Sequence, residues 1–590
     1  MKRTLAHLMV DYLERRGVEF VFGLCGHTNI AFLDALKDSS KIRFISVRHE
    51  QIAATAADGY ARVKGKTGVV LTHLGPGLTN AVTGVANAAM DSVPMVVIAG
   101  DVPSYYYGRH PHQEFNMHSD ASQYEIYRPF VKRAWRLERA DLAPQILDRA
   151  FRLAESGRPG PTLISVPMDL FSEHVDESLF ERTYRDSGCT RPPAISRETA
   201  LAIAKALIEA ERPVIHVGGG VLAARATEQL QELAEHLSVP VSRTLMGQGA
   251  MSDLHPLMLG MTGFWGTKFT NSMTANADLI LALGTRFAEA DSSSWYEGVT
   301  FSNKSRVIQV DIDVAEIGRN YPVEIGAVAD LKEALIAICA AVKELHPQPR
   351  ENKALIERIE QEKRAFAESN RDISADGRFP MTPQRILQDV RRLMPEDGLI
   401  FTDVGWNKNG VGQQFPVTRP GTIHHPSGLA TMGFGPAAVL GAKLAAPDRK
   451  VVTLVGDGGF GANPSVLATA VEQGIAVVWV VMNNMAFGTI AGLEKAHYGT
   501  TFGTTFAANG QPYSPEWAEI ARGYGIKARK VTAADEFAQF FAEALQSDEP
   551  FLIDCPMENI PVPTEGAWNI NDIYTPKDNI VAGRKKGEPT

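Results

Sequence analysis

Two short motifs carry oxygen donors at a spacing that suits a divalent cation: Gly456-Asp457-Gly458 and, downstream, Asn483-Asn484. The run 450–455 reads as a buried strand ending at Gly456, residues 464–474 as a helix, and 475–482 as a strand ending at the asparagine pair. Asp457 and Asn484 then fall at the carboxyl ends of neighbouring strands, where open parallel sheets bind ligands. Hard oxygen donors there suit Mg²⁺, which takes few protein ligands and completes its octahedron with phosphate and water. The glycines let a phosphate approach closely, and Gly459 and Phe460 can offer N–H groups to it. Among 51 glycines a lone Gly-Asp-Gly would mark a turn. The strand, helix, strand and Asn-Asn context points instead to a metal–diphosphate site.

These motifs need a scaffold, and the pattern along the chain supplies three α/β units. Residues 1–185 alternate helix and strand, with helices expected at 5–16, 31–37, 51–62 and 78–90 and strands at 20–24, 42–47, 68–72 and 94–98. A polar, proline-containing linker follows at 182–197. The second unit, 198–345, has strands at 214–217, 279–283 and 307–311; the third, 383–557, carries the two motifs. Residues 558–590 contain Pro, Gly, Asn and Trp with little periodicity and read as a tail or lid.

The whole chain sets bounds. At 590 residues it is expected to split into several domains, and 44% hydrophobic with 22% charged residues is an ordinary globular balance. A net charge of −9 gives no general attraction for nucleic acid or an anionic membrane. The amphipathic start, interrupted by Asp11, Glu14 and Arg15, is neither signal peptide nor membrane span. Cys25, Cys189, Cys339 and Cys555 are scattered without metal-like pairing, which favours a reducing compartment, with the cytoplasm as the default.

With Gly-Asp-Gly…Asn-Asn in the last of three α/β units, the chain resembles the thiamin-diphosphate (ThDP) enzymes of the acetohydroxyacid synthase, benzoylformate decarboxylase and 2-hydroxyacyl-CoA lyase group. The resemblance implies a first domain that holds the pyrimidine, a central domain that holds FAD, ADP or part of CoA or is empty, and a third that holds the diphosphate. It implies Asp457, Asn484 and the Ala486 carbonyl as Mg²⁺ ligands, with Gly456, Gly458, Gly459 and Phe460 around the diphosphate. Val47-Arg48-His49-Glu50-Gln51 matches the stretch bearing the family's activating glutamate, so Glu50 would bond the pyrimidine ring and promote loss of the thiazolium C2 proton. Ala430-Thr431-Met432-Gly433 matches the segment that bends the cofactor, with Met432 as the wedge and backbone groups of Ala430 and Met432 on the pyrimidine. Because the two ThDP domains lie on different subunits in this group, the resemblance implies a homodimer or tetramer with active sites at the subunit interface.

The chain also departs from its relatives. After Phe401-Thr402-Asp403-Val404-Gly405, where diphosphate contacts are usual, stand Trp406-Asn407-Lys408-Asn409; Asn407 keeps a donor and Lys408 adds a charge. Beyond the Asn pair, Gly492 and Leu493 stand where acetohydroxyacid synthases place an acceptor-choosing tryptophan. The Gly-Ile-Tyr of oxalyl-CoA decarboxylases is missing as well. His27 falls where benzoylformate decarboxylase carries an active-site serine, and His73 aligns with its active-site histidine. Either imidazole could move a proton to or from a substrate hydroxyl.

Gln113, in the loop with His110, His112 and Glu114, would line the pocket; His118 and Lys132 are weaker candidates, and Glu494, Lys495 and His497 could face the substrate from the following helix. In the central unit Gly218-Gly219-Gly220 and Gly284-Thr285-Arg286 could accept a nucleotide phosphate, with Lys268 and Arg286 as the first charges to inspect. The expected activity is a ThDP- and Mg²⁺-dependent carbon–carbon lyase or carboligase acting on a small molecule. The favoured branch is a 2-hydroxyacyl-CoA lyase giving formyl-CoA and an aldehyde or ketone, with Trp568 and Tyr574 of the tail closing over a large acyl-CoA. The alternatives are an acetolactate-synthase-like carboligase or 2-keto-acid decarboxylase and, more remotely, a scaffold that has lost its chemistry.

Overall fold

Uninterrupted aliphatic runs make the strands of this protein, because a parallel sheet covered by helices on both faces buries both sides of each strand. Every residue of Gly68–Thr72, Met95–Asp101, Leu279–Leu283 and Val478–Asn483 is buried. The computed structural model describes residues 2–115, 122–181 and 192–560. Within them lie three six-stranded sheets, all parallel. His118, Cys189, Trp568 and Tyr574 fall outside the described residues.

The first sheet runs Arg43–Ser46, Phe20–Gly23, Gly68–Thr72, Met95–Asp101, Pro161–Pro167, Arg133–Arg136 across its width. The third runs Ile423–His424, Leu399–Thr402, Val451–Gly456, Val478–Asn483, Phe551–Pro556, Lys527–Lys530. Numbered by chain order within each unit, both have the strand order 2-1-3-4-6-5. Each therefore reverses direction between its first and third strands, and that switch point opens a crevice beyond the strand ends. The central sheet, Met258–Met261, Val241–Arg243, Pro213–Val217, Leu279–Leu283, Arg306–Asp311, Ile325–Val328, has the order 3-2-1-4-5-6. Its switch point lies between the turns at Gly218 and Gly284. The 23-residue helix Lys353–Ala375 leads from the central unit to the third.

The first and third units share one hydrophobic core, whereas the central unit has its own. The shared core forms where helix Glu50–Lys64 crosses helix Phe434–Ala445. A Cβ on Gly441 would fall inside the Ala56 carbonyl, and one on Gly59 inside the Ala438 carbonyl, so glycine at both positions lets the backbones touch. Beside the crossing, buried Arg62 pairs with Asp58 and with Asp91 at 2.8 Å, and donates to the His425 carbonyl at 3.1 Å. Removing one partner of such a buried pair costs about 3–5 kcal/mol.

Candidate active site

At the third-unit switch point the strand Val451–Gly456 passes directly into the turn Asp457–Phe460. Asp457 is buried, its Oδ2 has no hydrogen-bond partner, and burial lifts its carboxyl to about 6 against the pull of neighbouring backbone N–H groups. The inward amide position of Asn484 lies 3.1 Å from Asp457 Oδ1 and 3.0 Å from the Ala486 carbonyl oxygen. With its nitrogen inward, Asn484 donates to both; with its oxygen inward, three oxygens converge in the manner of a hard-cation site. The residues expected to ligate Mg²⁺ thus fit that ion by donor type and convergence. Gly458 and Gly459 are needed as glycines: a Cβ would come 2.7 Å from the Phe487 ring at the first and 3.1 Å from the Asp403 carboxyl at the second.

Gly405, at φ +98°, turns the chain into helix Trp406–Gln414. In its first turn Asn407 is buried with Oδ1 unpartnered, and its Nδ2 lies 3.8 Å from where a Gly456 Cβ would stand. Asp403 accepts from the N–H of Val404 at 2.7 Å and of Gly433 at 2.9 Å, anchoring the Met432 turn; burial pushes its carboxyl up to about 7. Ala430 has φ +54°, and the Met432 side chain is 42% exposed, an apolar group left uncovered. Lys408 does not extend as a free charge at this edge. It is buried, facing carboxylates of all three units, Asp91, Asp291 and Asp403, and burial lowers its ammonium.

Glu50 begins its helix one residue earlier than the sequence pattern suggested, because the His49 side chain accepts from the N–H of Gln51 and caps the turn. The carboxylate is buried and accepts from Asn80 Nδ2 at 3.0 Å. Its neighbour Gln51 reaches the Met432 carbonyl at 3.5 Å and accepts from Asn463 at 3.2 Å, so this helix end meets the Met432 turn within a single chain. Sequence reasoning missed Asn80, Gln51 and Asn463. Asn80 stands in the Gly75-Pro76-Gly77-Leu78-Thr79-Asn80 run just after His73, which was its available signal.

The first-unit switch point brings the expected histidines together. His73, just beyond Gly68–Thr72, has Nδ1 2.7 Å from Thr28 Oγ1 and Nε2 2.9 Å from Gln113 Oε1. With the Gln113 carbonyl oxygen turned to the ring, Nε2 would carry the proton and Nδ1 would accept from Thr28. The His27 ring stands edge-on to His73 with centroids 4.6 Å apart, and His112 stacks 6.2 Å away. Burial, and after it the two neighbouring imidazoles, lowers the His27 imidazole. Gln113 sits at φ +66° in a loop pinned by Glu114 to Arg136, which in turn pairs with buried Asp101 at 2.8 Å.

The remaining candidates have partners of their own. Lys132 donates to the carbonyls of Ser156 and Arg158, a packing role. Glu494 accepts from Thr504 at 2.7 Å, on helix Gly488–Tyr498 with Lys495 and His497. The central-unit glycines pack on one another: a Cβ on Gly220 would meet Gly284 Cα at 2.7 Å. Arg286 is lowered by burial and by nearby Arg158, facing Glu316, Asp91 and Asp291. Lys268 starts helix Lys268–Ala275.

Comparison with known proteins agrees with this geometry. Three thiamine pyrophosphate enzyme family models match: the N-terminal TPP binding domain at residues 3–122, the central domain at 201–338 and the C-terminal TPP binding domain at 403–555. The chain is 34% identical over 579 residues to the "Probable acetolactate synthase large subunit" of Methanocaldococcus jannaschii, covering 96% of this chain and 95% of that protein. It is 33% identical over 574 residues to the acetolactate synthase isozyme 1 large subunit of Escherichia coli (strain K12), covering 96% and 97%. For the acetolactate synthase large subunit of Parasynechococcus marenigrum the identity is 36% over 563 residues, covering 93% and 86%. These relatives give no support to a 2-hydroxyacyl-CoA lyase or an acyl-CoA substrate and fit the acetolactate-synthase-like alternative better. The lyase expectation rested on the missing tryptophan at Gly492-Leu493, the two histidines and the tail with Trp568 and Tyr574, whereas the likeness to acetolactate synthases runs through nearly the whole chain.

Proposed function

Because the chain belongs to the thiamine pyrophosphate enzyme family, we propose that it is a carboligase that takes an acyl unit from a 2-keto acid and joins it to a second carbonyl compound, as an acetolactate synthase does. The observation that carries the reading is the coincidence of end-to-end likeness to acetolactate synthases with the convergent oxygens of Asp457, Asn484 and Ala486. Asp457, Asn484 and the Ala486 carbonyl would hold Mg²⁺. Gly456, Gly458, Gly459, Phe460, Gly405 and Asn407 would receive the diphosphate, and Ala430, Met432 and Glu50 the pyrimidine. When bound, thiamin diphosphate supplies an acidic thiazolium carbon that adds to carbonyls and accepts the electrons of a breaking carbon–carbon bond.

The chain's own groups then position and move protons. Glu50, oriented by Asn80, would hold the pyrimidine ring and supply a carboxyl group able to exchange a proton with it. His27, held neutral by its surroundings, can accept a proton from a substrate hydroxyl or return one, with His73 fixed beside it by Thr28 and Gln113. With ThDP and Mg²⁺, purified protein given pyruvate should form acetolactate and CO₂; absence of turnover on any 2-keto acid would reject the reading. The histidine pair favours one second reading, a 2-keto-acid decarboxylase, which would release the aldehyde in place of the acyloin.

The reading includes a homodimer or tetramer in which Glu50 of one chain serves the diphosphate site of another. Mixing Glu50→Gln with Asp457→Asn chains tests this directly. Sites shared between chains regain activity in the mixed dimer, because one intact site forms; sites built within one chain stay dead.

A further inference from the structure

Away from the switch points, a groove of 1420 Å³ lies between the edge strand Met258–Met261 of the central unit, the helix Lys353–Ala375 and the third unit's Gln384 and Gln413–Pro416 wall. It is two strands removed from the Gly218 turn and so is a different place from the central unit's own crevice. Seven of its lining residues are Arg or Lys and three are Asp or Glu, an inversion of the chain's net charge of −9. The rest of the lining is largely apolar and aromatic, including Trp265, Phe366, Leu387 and Phe415, with Leu254 68% exposed at its side.

Several of these cations lack a full set of partners. Arg391 is half-buried, its guanidinium 5.0 Å over the Phe415 ring and its Nη2 donating to the Met394 carbonyl; among the described residues no carboxylate bonds to it. Lys363 donates to the carbonyls of Asp253 and His255, and burial lowers its ammonium to about 8. Arg243 is 3% exposed and pairs with Asp253, yet its Nη1 has no partner; Gln384 Oε1 is likewise buried and unpartnered. Arg364, Arg371 and Arg392 are paired with Glu360, Glu368 and Asp389, so the donors left open to the groove are the Arg391 guanidinium and the bare Nη1 of Arg243, and an anion there would complete their hydrogen bonds. The charge excess selects an anion and the aromatic wall selects an apolar body.

We propose that this groove is an effector site for a small organic carboxylate with an aromatic or extended apolar body, its carboxylate on Arg391 and its body against Trp265. The fold supplies a route for the effect. Gln413 donates to the Trp265 carbonyl at 3.0 Å, and the Gly412 carbonyl accepts from Arg243. Both glycine and glutamine end the nine-residue helix Trp406–Gln414, whose first turn holds Asn407 beside Gly456. A ligand pressing on one end of a helix of about 13 Å bears on the diphosphate edge at the other.

The test uses the ThDP- and Mg²⁺-loaded full chain titrated by calorimetry with 2-naphthoate, and with neutral 2-naphthamide as the control. We expect one saturable naphthoate site per chain, weakened at least tenfold by Arg391→Gln and, separately, by Trp265→Leu, with both variants keeping basal turnover. Naphthamide should bind at least tenfold more weakly and ignore Arg391→Gln. Saturating naphthoate should change turnover at least twofold. Absence of saturable binding, or binding indifferent to both substitutions, overturns the site; binding with unchanged turnover overturns the effector role.

Discussion

The first and third units have the same strand order, yet they fill the same topological position with opposite chemistry. At the first-unit switch point the site side chains are held by neighbours: His73 is partnered at both nitrogens and Glu50 accepts from Asn80, although Thr72 Oγ1 and Glu114 Oε2 are buried without a partner. At the third-unit switch point acceptors stay unsatisfied, with Asp457 Oδ2 and Asn407 Oδ1 buried and bare and three oxygens converging at Asn484. Buried unpaired acceptors are expensive in a folded protein, and a bound cation with its donors removes the cost. The first crevice therefore holds its imidazole and carboxylate in place; the third gathers bare oxygens at one point for a ligand to complete.

Asp457→Ala should break this contrast most severely. Removing the central acceptor of the unfinished crevice should cost several kcal/mol of Mg²⁺-dependent ThDP binding, on the order of 10³ in affinity by calorimetry. Glu50→Gln should instead leave ThDP binding nearly intact and lower kcat by about 10²–10³, the range of general acid–base catalysis. Equal losses of binding and rate in both variants would erase the distinction between the two crevices.

The central unit supplies a comparison outside either crevice. Burial holds the His216 imidazole down to about 3, while the unfolded chain takes up its proton near 6.5. Between those values only the unfolded state is protonated, so His216 costs stability as pH falls. The stability of the wild type relative to His216→Leu should drop by about 1.4 kcal/mol per pH unit below 6.5 and level off near pH 3. A pH-independent difference in denaturant titrations would contradict this. Gln113→Ala should have the smallest effect, about 1 kcal/mol or a fewfold loss in kcat, by freeing the His73 tautomer. A shift in the pH profile without unfolding would mark a positioning role.

Much of the third-unit site could be read from sequence because each piece stands directly at a strand end: Gly456-Asp457-Gly458 after one aliphatic run, Asn483-Asn484 at the end of the next. His27, His73 and Glu50 were picked out by the family resemblance, and all three lie within a few residues of a strand end. Their partners were not, since Thr28 lies 45 residues and Gln113 40 residues from His73, and such pairings are set by sheet order rather than by local pattern. Lys408 misled through its neighbours: beside a glycine turn it reads as a phosphate ligand, but three carboxylates from three units surround it. The preferred branch found no support because a missing tryptophan, two histidines and an aromatic-bearing tail are local features, whereas the likeness to acetolactate synthases is spread over hundreds of residues. The basic groove left no trace in the sequence, its walls coming from an edge strand of the central unit, the connecting helix and two segments of the third unit.

The crossing of helices Glu50–Lys64 and Phe434–Ala445, where Gly59 lies against the Ala438 carbonyl and Gly441 against that of Ala56, restricts how this molecule can open. With backbones in direct touch and one continuous core behind them, the two outer units cannot swing apart as lobes to admit a coenzyme. Entry has to be managed by peripheral pieces such as the loop carrying His112 and Gln113 or the segment around Ala430 and Met432, so turnover should be limited by small local rearrangements rather than by hinge closure.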